Sequence, residues 1–466
     1  LMVFPTYKEY IDSGSRWLGD IPAHWTTKKL KFLAVVQPSN VDKKTIEDEV
    51  PVLLCNYTDV YKNEHIDGSL SFMGATATKE EIKKFTVELG DVIVTKDSED
   101  RNDIAIPASA SENVKNLVCG YHLTQIKPKH LDGRFLLRLF QSKGFNAQFI
   151  VAANGVTRFG LPQNAIANAV SPVPPIEEQK TIGRFLDHKT AQIDLLIAKK
   201  QSLLDKLAEQ RTALISQAVT KGLDPSVSMK DSGVDWLGEI PGHWHRVLLV
   251  RLIIRFEQGW SPSCEAREAS KDEWGVLKSG CVNYGIFDER QHKTLPASLT
   301  PIESLEVKPG NILMCRASGS KHLIGSVARI KSCRANLIFS DKTYRISLNE
   351  KLIDPDFFVF AMKSKYIREQ IELSISGADG LANNIPQASV KSYQFVLPEI
   401  DEQRAIVKVL TEKSDRISLQ EEKTKAVIER LQEYRSALIT NAVTGKIDVR
   451  DFCIPTTTEQ REVAHG

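Results

Sequence analysis

The chain lacks the marks of several protein classes. Its seven cysteines (Cys55, Cys119, Cys264, Cys281, Cys315, Cys333 and Cys453) are odd in number and form no CxxC pair. That argues against a zinc ribbon or a disulfide framework and predicts reduced, mostly buried thiols in a cytoplasmic protein. Long apolar runs are missing. The longest candidate, Val247 to Ile254, is interrupted by Arg251 and falls far short of the ~20 residues a membrane span needs. Residues 1–10, LMVFPTYKEY, have neither the basic start nor the apolar core of a signal peptide. There is also no excess of one charge. The net charge is +2, with 20 basic and 20 acidic residues in 1–175 and 22 and 20 in 223–396. Nucleic-acid binders often carry a strongly basic domain, so charge alone nominates no partner. The local exception is Arg316 to Arg345, with seven basic residues against the single acid Asp341.

Catalytic signatures are missing as well. There is no GxxxxGK[ST] phosphate loop, no HExxH zinc motif and no GxSxG nucleophile elbow. No Asn/Asp-Pro-Pro-aromatic motif, used by adenine methyltransferases to hold an extruded base, occurs. The carboxylates form no paired metal site with a neighbouring lysine. The expectation is a chain with no catalytic and no metal-binding residues. His24 and His243 recur, but each stands beside a tryptophan, Trp25 and Trp244, in a shared motif. A structural role at a domain edge suits them better than ligation.

What the chain has is internal repetition, which settles organisation before fold. Asp12 to Trp25 reads DSGSRWLGDIPAHW and Asp231 to Trp244 reads DSGVDWLGEIPGHW, an offset of 219. A second block repeats at offset 224: Glu178-Gln179 with Glu402-Gln403, Arg211-x-Ala213-Leu214-Ile215 with Arg435-x-Ala437-Leu438-Ile439, and Ala218-Val219-Thr220 with Ala442-Val443-Thr444. Between the blocks the sequences diverge but keep an outline. Leu89-Gly90-Asp91 and Pro309-Gly310-Asn311 each open a strand-length apolar run. Further strands are expected over Leu117–Ile126 and Lys342–Leu348. Helices are expected over Gly133–Ile150 and Asp356–Leu373, and Gly-containing polar loops over residues 154–160 and 376–384.

The repeated block is itself long, charged and free of internal proline. Apolar residues recur at spacings of three, four and seven, the stripe of an amphipathic helix. In the first copy the stripe runs through Ile182, Phe185, Leu186, Ile193, Leu196, Leu203, Leu207 and Leu214; in the second, through Ile406, Leu410, Ile417, Val427, Leu431 and Leu438. Glu177, Glu178, Asp401 and Glu402 sit where the helix dipole favours acids, and Gly222 and Gly445 where a left-handed residue ends a helix. Each helix packs on its adjacent domain or on the other helix as a coiled-coil-like pair. Lys200, Gln210 and Gln217 fall near core spacing, and a break near Asp187–Thr190 is an option. The fold expected is α+β, with two α/β domains (1–174 and 223–397), two long helical segments (175–222 and 398–450) and a tail (451–466), arranged as a pseudo-two-fold duplication.

These features together resemble the specificity subunit of type I restriction–modification systems. The resemblance rests on the two W-L-G-x-I-P-x-H-W motifs, the Glu-Gln helix starts and the closing Thr444-Gly445-Lys446-Ile447-Asp448-Val449-Arg450, and it covers about residues 5–452 in the family's order. It implies two target recognition domains, each reading half of an asymmetric bipartite site on double-stranded DNA. It also implies antiparallel helices that fix the spacer and dock two modification (methyltransferase) subunits. S-adenosylmethionine would then sit on those partners, and ATP and Mg on a separate restriction subunit, with no cofactor in this chain. A protein-binding scaffold and a self-contained DNA-modifying enzyme are the alternatives.

Base readout needs polar side chains on loops or strand ends, Arg or Lys for guanine and Asn or Gln for adenine. The first domain offers Asn56, Tyr57, Thr58, Lys96, Arg101, Asn102, Thr157 and Arg158. The second offers Lys278, Ser279, Asn283, Tyr284, Arg316, Ser318, Ser320, Lys321, Asn383 and Asn384. Arg329, Lys331 and Arg334 suit phosphate contact, which positions without specifying.

Overall fold

The computed structural model describes residues 4–162, 164–234, 236–376 and 383–453. The chain forms two compact units: residues up to Lys200 with those from Ala426 onward, and Gln201–Lys425. The long repeated segments are single helices, Ile176–Lys221 and Ile400–Val443. Each contributes one part to each unit, so neither is a body of its own. No break occurs at Asp187–Thr190.

In unit 1 a five-stranded sheet runs in the order Ala34–Pro38, Leu123–Pro128, Val92–Thr95, Pro107–Ala110, His65–Ile66. Beside it, Val50–Cys55 lies between Leu117–Cys119 and Met73–Ala77. The expected strand Leu117–Ile126 is two strands, because the chain turns at Gly120 and joins a different sheet on each side. Unit 2 repeats the plan. Ile253–Gln258, Thr343–Leu348, Ile312–Cys315 and Val327–Arg329 form one sheet, and Gly275–Leu277 lies between His292–Thr294 and Leu337–Phe339 in the other. The register matches too: Cys55 pairs Cys119 in parallel, and Leu277 pairs Phe339 in parallel.

Each expected mid-domain helix is instead a pair, Gly133–Gln141 with Lys143–Ala152, and Pro355–Met362 with Lys365–Ser374. Asp132 and Asp354 cap the first helix of each pair by accepting two backbone N–H groups at 2.9–3.1 Å. Ser142 and Ser364 take extended backbone angles and restart the chain as N-caps. Apolar periodicity continues across such a joint, so the pattern reads as one helix.

Along the long helices the shielded positions alternate by three and four: 186, 190, 193, 197, 200, 204, 207, 211, 214, 218 on the first and 410, 414, 417, 421, 424, 428, 431, 435, 438, 442 on the second. This is a heptad seam. Ile182, Phe185, Leu186 and Ile193 are buried with Leu438 in the unit 1 core, where Leu431 packs at the edge. Ile406 and Leu410 are buried with Ile215 in unit 2, where Leu214 packs at the edge. Leu207 and Ile417 are also buried. Leu196, Leu203 and Val427, expected on the stripe, are exposed. Their neighbours Ile197, Leu204 and Ile428 hold the seam positions, one residue or about 100° away. Gln210 and Gln217 are likewise exposed, whereas Lys200 is half-buried.

Within each unit the helices pass antiparallel. In unit 1 Phe185 meets Phe452 (ring centroids 5.0 Å) and Asp194 pairs Arg435 at 2.9 Å. In unit 2 Arg211 pairs Glu421 at 2.9 Å, and Gly222 lies beside Glu402.

Unit 1 also holds a buried ion network. Arg138 pairs Glu64 and Asp187, both at 2.8 Å, Arg435 pairs Glu64 at 2.7 Å, and Gln141 donates to Glu64 at 2.8 Å. Burial opposes ionisation of Glu64, but Arg138, Gln141 and Arg435 outweigh it and hold the carboxyl below its usual range.

Candidate nucleic-acid interface

The repeated motif is a latch. In unit 1 the Glu178 carboxylate accepts from Tyr7 Oη (2.6 Å) and Trp25 Nε1 (3.1 Å) and lies 2.8 Å from His24 Nε2. In unit 2 Glu402 accepts from Trp244 Nε1 (3.2 Å) and lies 2.8 Å from His243 Nε2. Burial, then the bond to Glu178, pushes the Tyr7 hydroxyl far above its ordinary value, so it stays a donor. The neighbouring glutamine completes the latch. Gln179 donates to Pro174 O (2.9 Å) and accepts from Asp132 N (2.9 Å); Gln403 donates to Pro398 O (2.9 Å) and accepts from Asp354 N (2.8 Å). The start of each long helix is thus tied both to the Trp motif and to the N-cap of a domain helix.

On this frame unit 1 presents an aromatic recess. Phe159–Gly160 pairs with Asp97–Ser98 and brings Arg158 to Asp97, where Nη2 donates at 2.5 Å. Asp97 also bonds His122 at 2.8 Å. Lys96, at the end of Val92–Thr95, lies 4.5 Å above the Tyr121 ring and donates to Ser39 O at 3.1 Å. Burial pulls its amine below the usual value. Asn56 caps the helix Tyr57–Lys62, and Tyr57 stacks on Tyr61 with ring centroids 5.5 Å apart. Tyr57 borders two recesses, one shared with Asp97 and Arg158 and one with Asn56, Tyr121 and His122. Asn56, Tyr57, Lys96 and Arg158 are therefore brought together. Thr58 and Thr157 are exposed nearby in sequence. Arg101 is exposed but tied to the backbone, donating to Ile150 O (2.8 Å) and Val151 O (3.2 Å), and Asn102 is exposed in a turn held by Asp100. Glu99, Asp100 and Asp103 also border the Tyr57–Arg158 recess. That acidity disfavours phosphate and suits a base edge, which offers donors as well as acceptors. Tyr61, Asp97, Tyr121 and His122 were absent from the sequence-based set. The Tyr57-x-x-x-Tyr61 spacing was the available signal, since it places both rings on one helix face.

Unit 2 repeats the geometry with other residues. Ala317–Ser318 pairs with Asn383–Asn384, so Ser318 faces Asn383. Arg316 takes the place of Lys96: its guanidinium lies 5.9 Å from the Tyr344 ring, with Nε donating to Tyr344 Oη at 3.1 Å. Asn383 is buried, and its Oδ1 has no partner among the described residues. Ser320 and Lys321 are exposed. Lys278 is exposed at the start of the turn Ser279–Gly285, which also holds Asn283 and Tyr284. Of the expected phosphate contacts, Arg329 pairs Asp356 at 2.6 Å and Lys331 is exposed. Arg334 is spent on carbonyls, donating to Ala269 (2.8 Å), Lys271 (3.2 Å), Ala335 (3.1 Å) and Glu273. It pins the segment 269–273 rather than facing outward, a role no spacing signals.

Among the described residues no group of three or more His, Cys, Asp or Glu side chains is placed to hold a metal ion, and no helix is long and apolar enough to cross a membrane. Cys55, Cys119, Cys281 and Cys315 are buried and Cys453 is exposed. Burial pushes the Cys315 thiol up to about 11.

Residues 24–205 match the family model described as the type I restriction modification DNA specificity domain. The specificity subunit of the type I restriction enzyme EcoEI of Escherichia coli is 29% identical over 197 residues, which span 42% of this chain and 33% of that subunit. The putative type I restriction enzyme MjaX specificity subunit of Methanocaldococcus jannaschii is 24% identical over 443 residues, spanning 93% of this chain and 96% of that one. A solved structure from work on complex assembly and conformational transition of the type I R-M system shares the fold, with a TM-score of 0.63 at 14% identity over 91% of this chain and 98% of that chain. Residues 24–205 thus carry the sequence of a type I restriction modification DNA specificity domain, and along nearly its whole length the chain is similar to specificity subunits of type I restriction enzymes.

Proposed function

We propose that the chain is the non-catalytic reader of such a system, in which each unit reads one half of an asymmetric bipartite site on double-stranded DNA. The observation that carries this is the latch. Trp, His and Gln hold the long helix in the same way in both units, while the loops mounted on that frame differ. A shared frame with unlike reading loops suits two unlike half-sites. In unit 1 the readers are Asn56, Tyr57, Lys96 and Arg158; in unit 2 they are Arg316, Ser318, Asn383 and Asn384.

The two long helices set the unread spacer and dock two modification subunits. The heptad seam supports this, and half-sites one DNA turn apart need a spacer of about 34–36 Å. S-adenosylmethionine belongs to those partners, ATP and Mg to a restriction subunit, and the assembly to the cytoplasm. Near-neutral charge fits a reader whose partners supply much of the phosphate contact.

The test is an exchange of residues 26–174 for another reading domain, followed by methylome sequencing of cells that also express the modification subunit. One half of the methylated sequence changes and the other stays. A change in both halves would overturn the modular reading. Insertion of one helical turn within 195–210 shifts the tolerated spacer, and an unchanged spacer removes the ruler.

A further inference from the structure

One cation cluster is flanked by more acids in unit 1 than at the corresponding place in unit 2. Arg435 of unit 1 corresponds in the sequence repeat to Arg211 of unit 2. Arg435 has Glu64 and Asp194 as partners. The residue at the Asp194 position in the other repeat is Ser418, which accepts from Arg211 at 3.0 Å. Glu64 follows strand Val50–Cys55 at the interval at which Ile286 follows strand Gly275–Leu277, and the two strands have matching parallel partners. Ile286 therefore stands in for Glu64. Thr411 replaces Asp187 in the same way.

Arg138 is lost too, since Phe360 stands at its distance from the N-cap, but a second cation enters at another position. Gln141 and Lys363 stand at the same distance from the N-caps Asp132 and Asp354, so unit 2 places a lysine where unit 1 has an amide. Lys363 Nζ donates to Gly285 O at 3.2 Å, and among the described residues it has no carboxylate within ion-pair distance. Arg211 retains Glu421, but its Nε is shielded and lacks an acceptor among the described residues. Burial, then Arg211, then Lys331, pulls the Lys363 amine below its ordinary value. Tyr284 and Ile286, which flank Gly285, are 75% and 69% exposed.

We propose that Arg211 and Lys363 form a receptor for a carboxylate of a protein partner, filling the place that Glu64 fills internally in unit 1. The partner is an acidic segment of the modification subunit, a choice that rests on the docking described above. Exposed tyrosine and isoleucine beside a partly desolvated cation pair are protein-interface chemistry. A phosphate surface would carry its cations in water.

Two variants of the full chain, co-expressed with the modification subunit, test this. Ile286→Glu supplies the missing carboxylate from within, and Lys363→Gln copies Gln141. Each weakens assembly about tenfold, the loss of one charge-assisted hydrogen bond, measured by sedimentation equilibrium at several salt concentrations. The methylated sequence and the melting temperature of the isolated chain stay as in the parent, or the melting temperature rises for Ile286→Glu. Parent-like assembly by both variants would overturn the receptor while leaving helix docking intact. A loss of DNA affinity with unchanged assembly would make the site a phosphate contact and would also overturn it. Failure of the parent chain itself to assemble would reject the docking reading instead.

Discussion

Trp25 donates its indole N–H to Glu178 at 3.1 Å, tying the repeated motif to the first turn of the long helix. Trp244 and Glu402 make the same bond at 3.2 Å, but in a wetter place: the Glu178 side chain is 6% exposed and that of Glu402 is 35% exposed. Tyr7 supplies the extra donor in unit 1. Glu178→Ala therefore costs about 3 kcal/mol, as expected for one partner of a buried charge cluster. Glu402→Ala costs about 1 kcal/mol. Urea unfolding followed by tryptophan fluorescence separates them, and equal costs would refute the role given to burial.

Glu64 gives a pH signature. Its folded-state carboxyl titrates below the unfolded value, so its stabilisation is present above the unfolded value, about pH 4.3, and is lost as pH falls through the folded one. The melting-temperature gap between the parent and Glu64→Gln is full at pH 7 and closes below about pH 4. A gap that widened on acidification would mean that Arg138 and Arg435 do not hold the carboxylate ionised.

Gly222 and Gly445 both end long helices, at φ +73° and +72°. Alanine at either position costs about 1 kcal/mol for the left-handed backbone. At Gly445 the added Cβ also presses into the Pro22 ring, whereas at Gly222 its nearest neighbours stand 3.4 Å away. Thermal melts should therefore show Gly445→Ala as clearly the worse substitution.

Arg158 and Arg334 separate reading from framework. Arg158→Ala leaves the melting temperature near the parent value and relaxes one position of one half-site, by about 1–3 kcal/mol of discrimination. Arg334→Ala frees the carbonyls of residues 269, 271 and 273 and lowers stability, with the sequence preference retained. Binding to a library of half-site variants, with a melt beside it, distinguishes the two outcomes.

The repeats, the long helices and a few of the strands were legible because repetition and periodicity survive in the linear string. Three things were not. Leu196, Leu203 and Val427 have the right chemistry but lie off the seam, whose phase is set by contacts that no single residue reveals. The helix joints at Ser142 and Ser364 hide because apolar spacing continues across them. Which loop arginines are tied to the backbone depends on which carbonyls stand nearby: Arg101 and Arg334 meet them, Arg158 meets Asp97.

Unit 1 is assembled from both ends of the chain. Leu438, Ile439, Ala442, Val443 and Val449 lie in the same buried cluster as Trp25 and Phe135, and Asp448 N donates to Pro5 O at 2.7 Å. A ribosome delivers residues in order, and a unit closes when its last segment emerges. Unit 2, Gln201–Lys425, is contiguous and closes first, although unit 1 began earlier. Until residues 426–452 leave the exit tunnel, Ile182, Phe185 and Leu186 have no helix to cover them. A truncation before Arg435 therefore leaves a folded second unit attached to an unfinished first one.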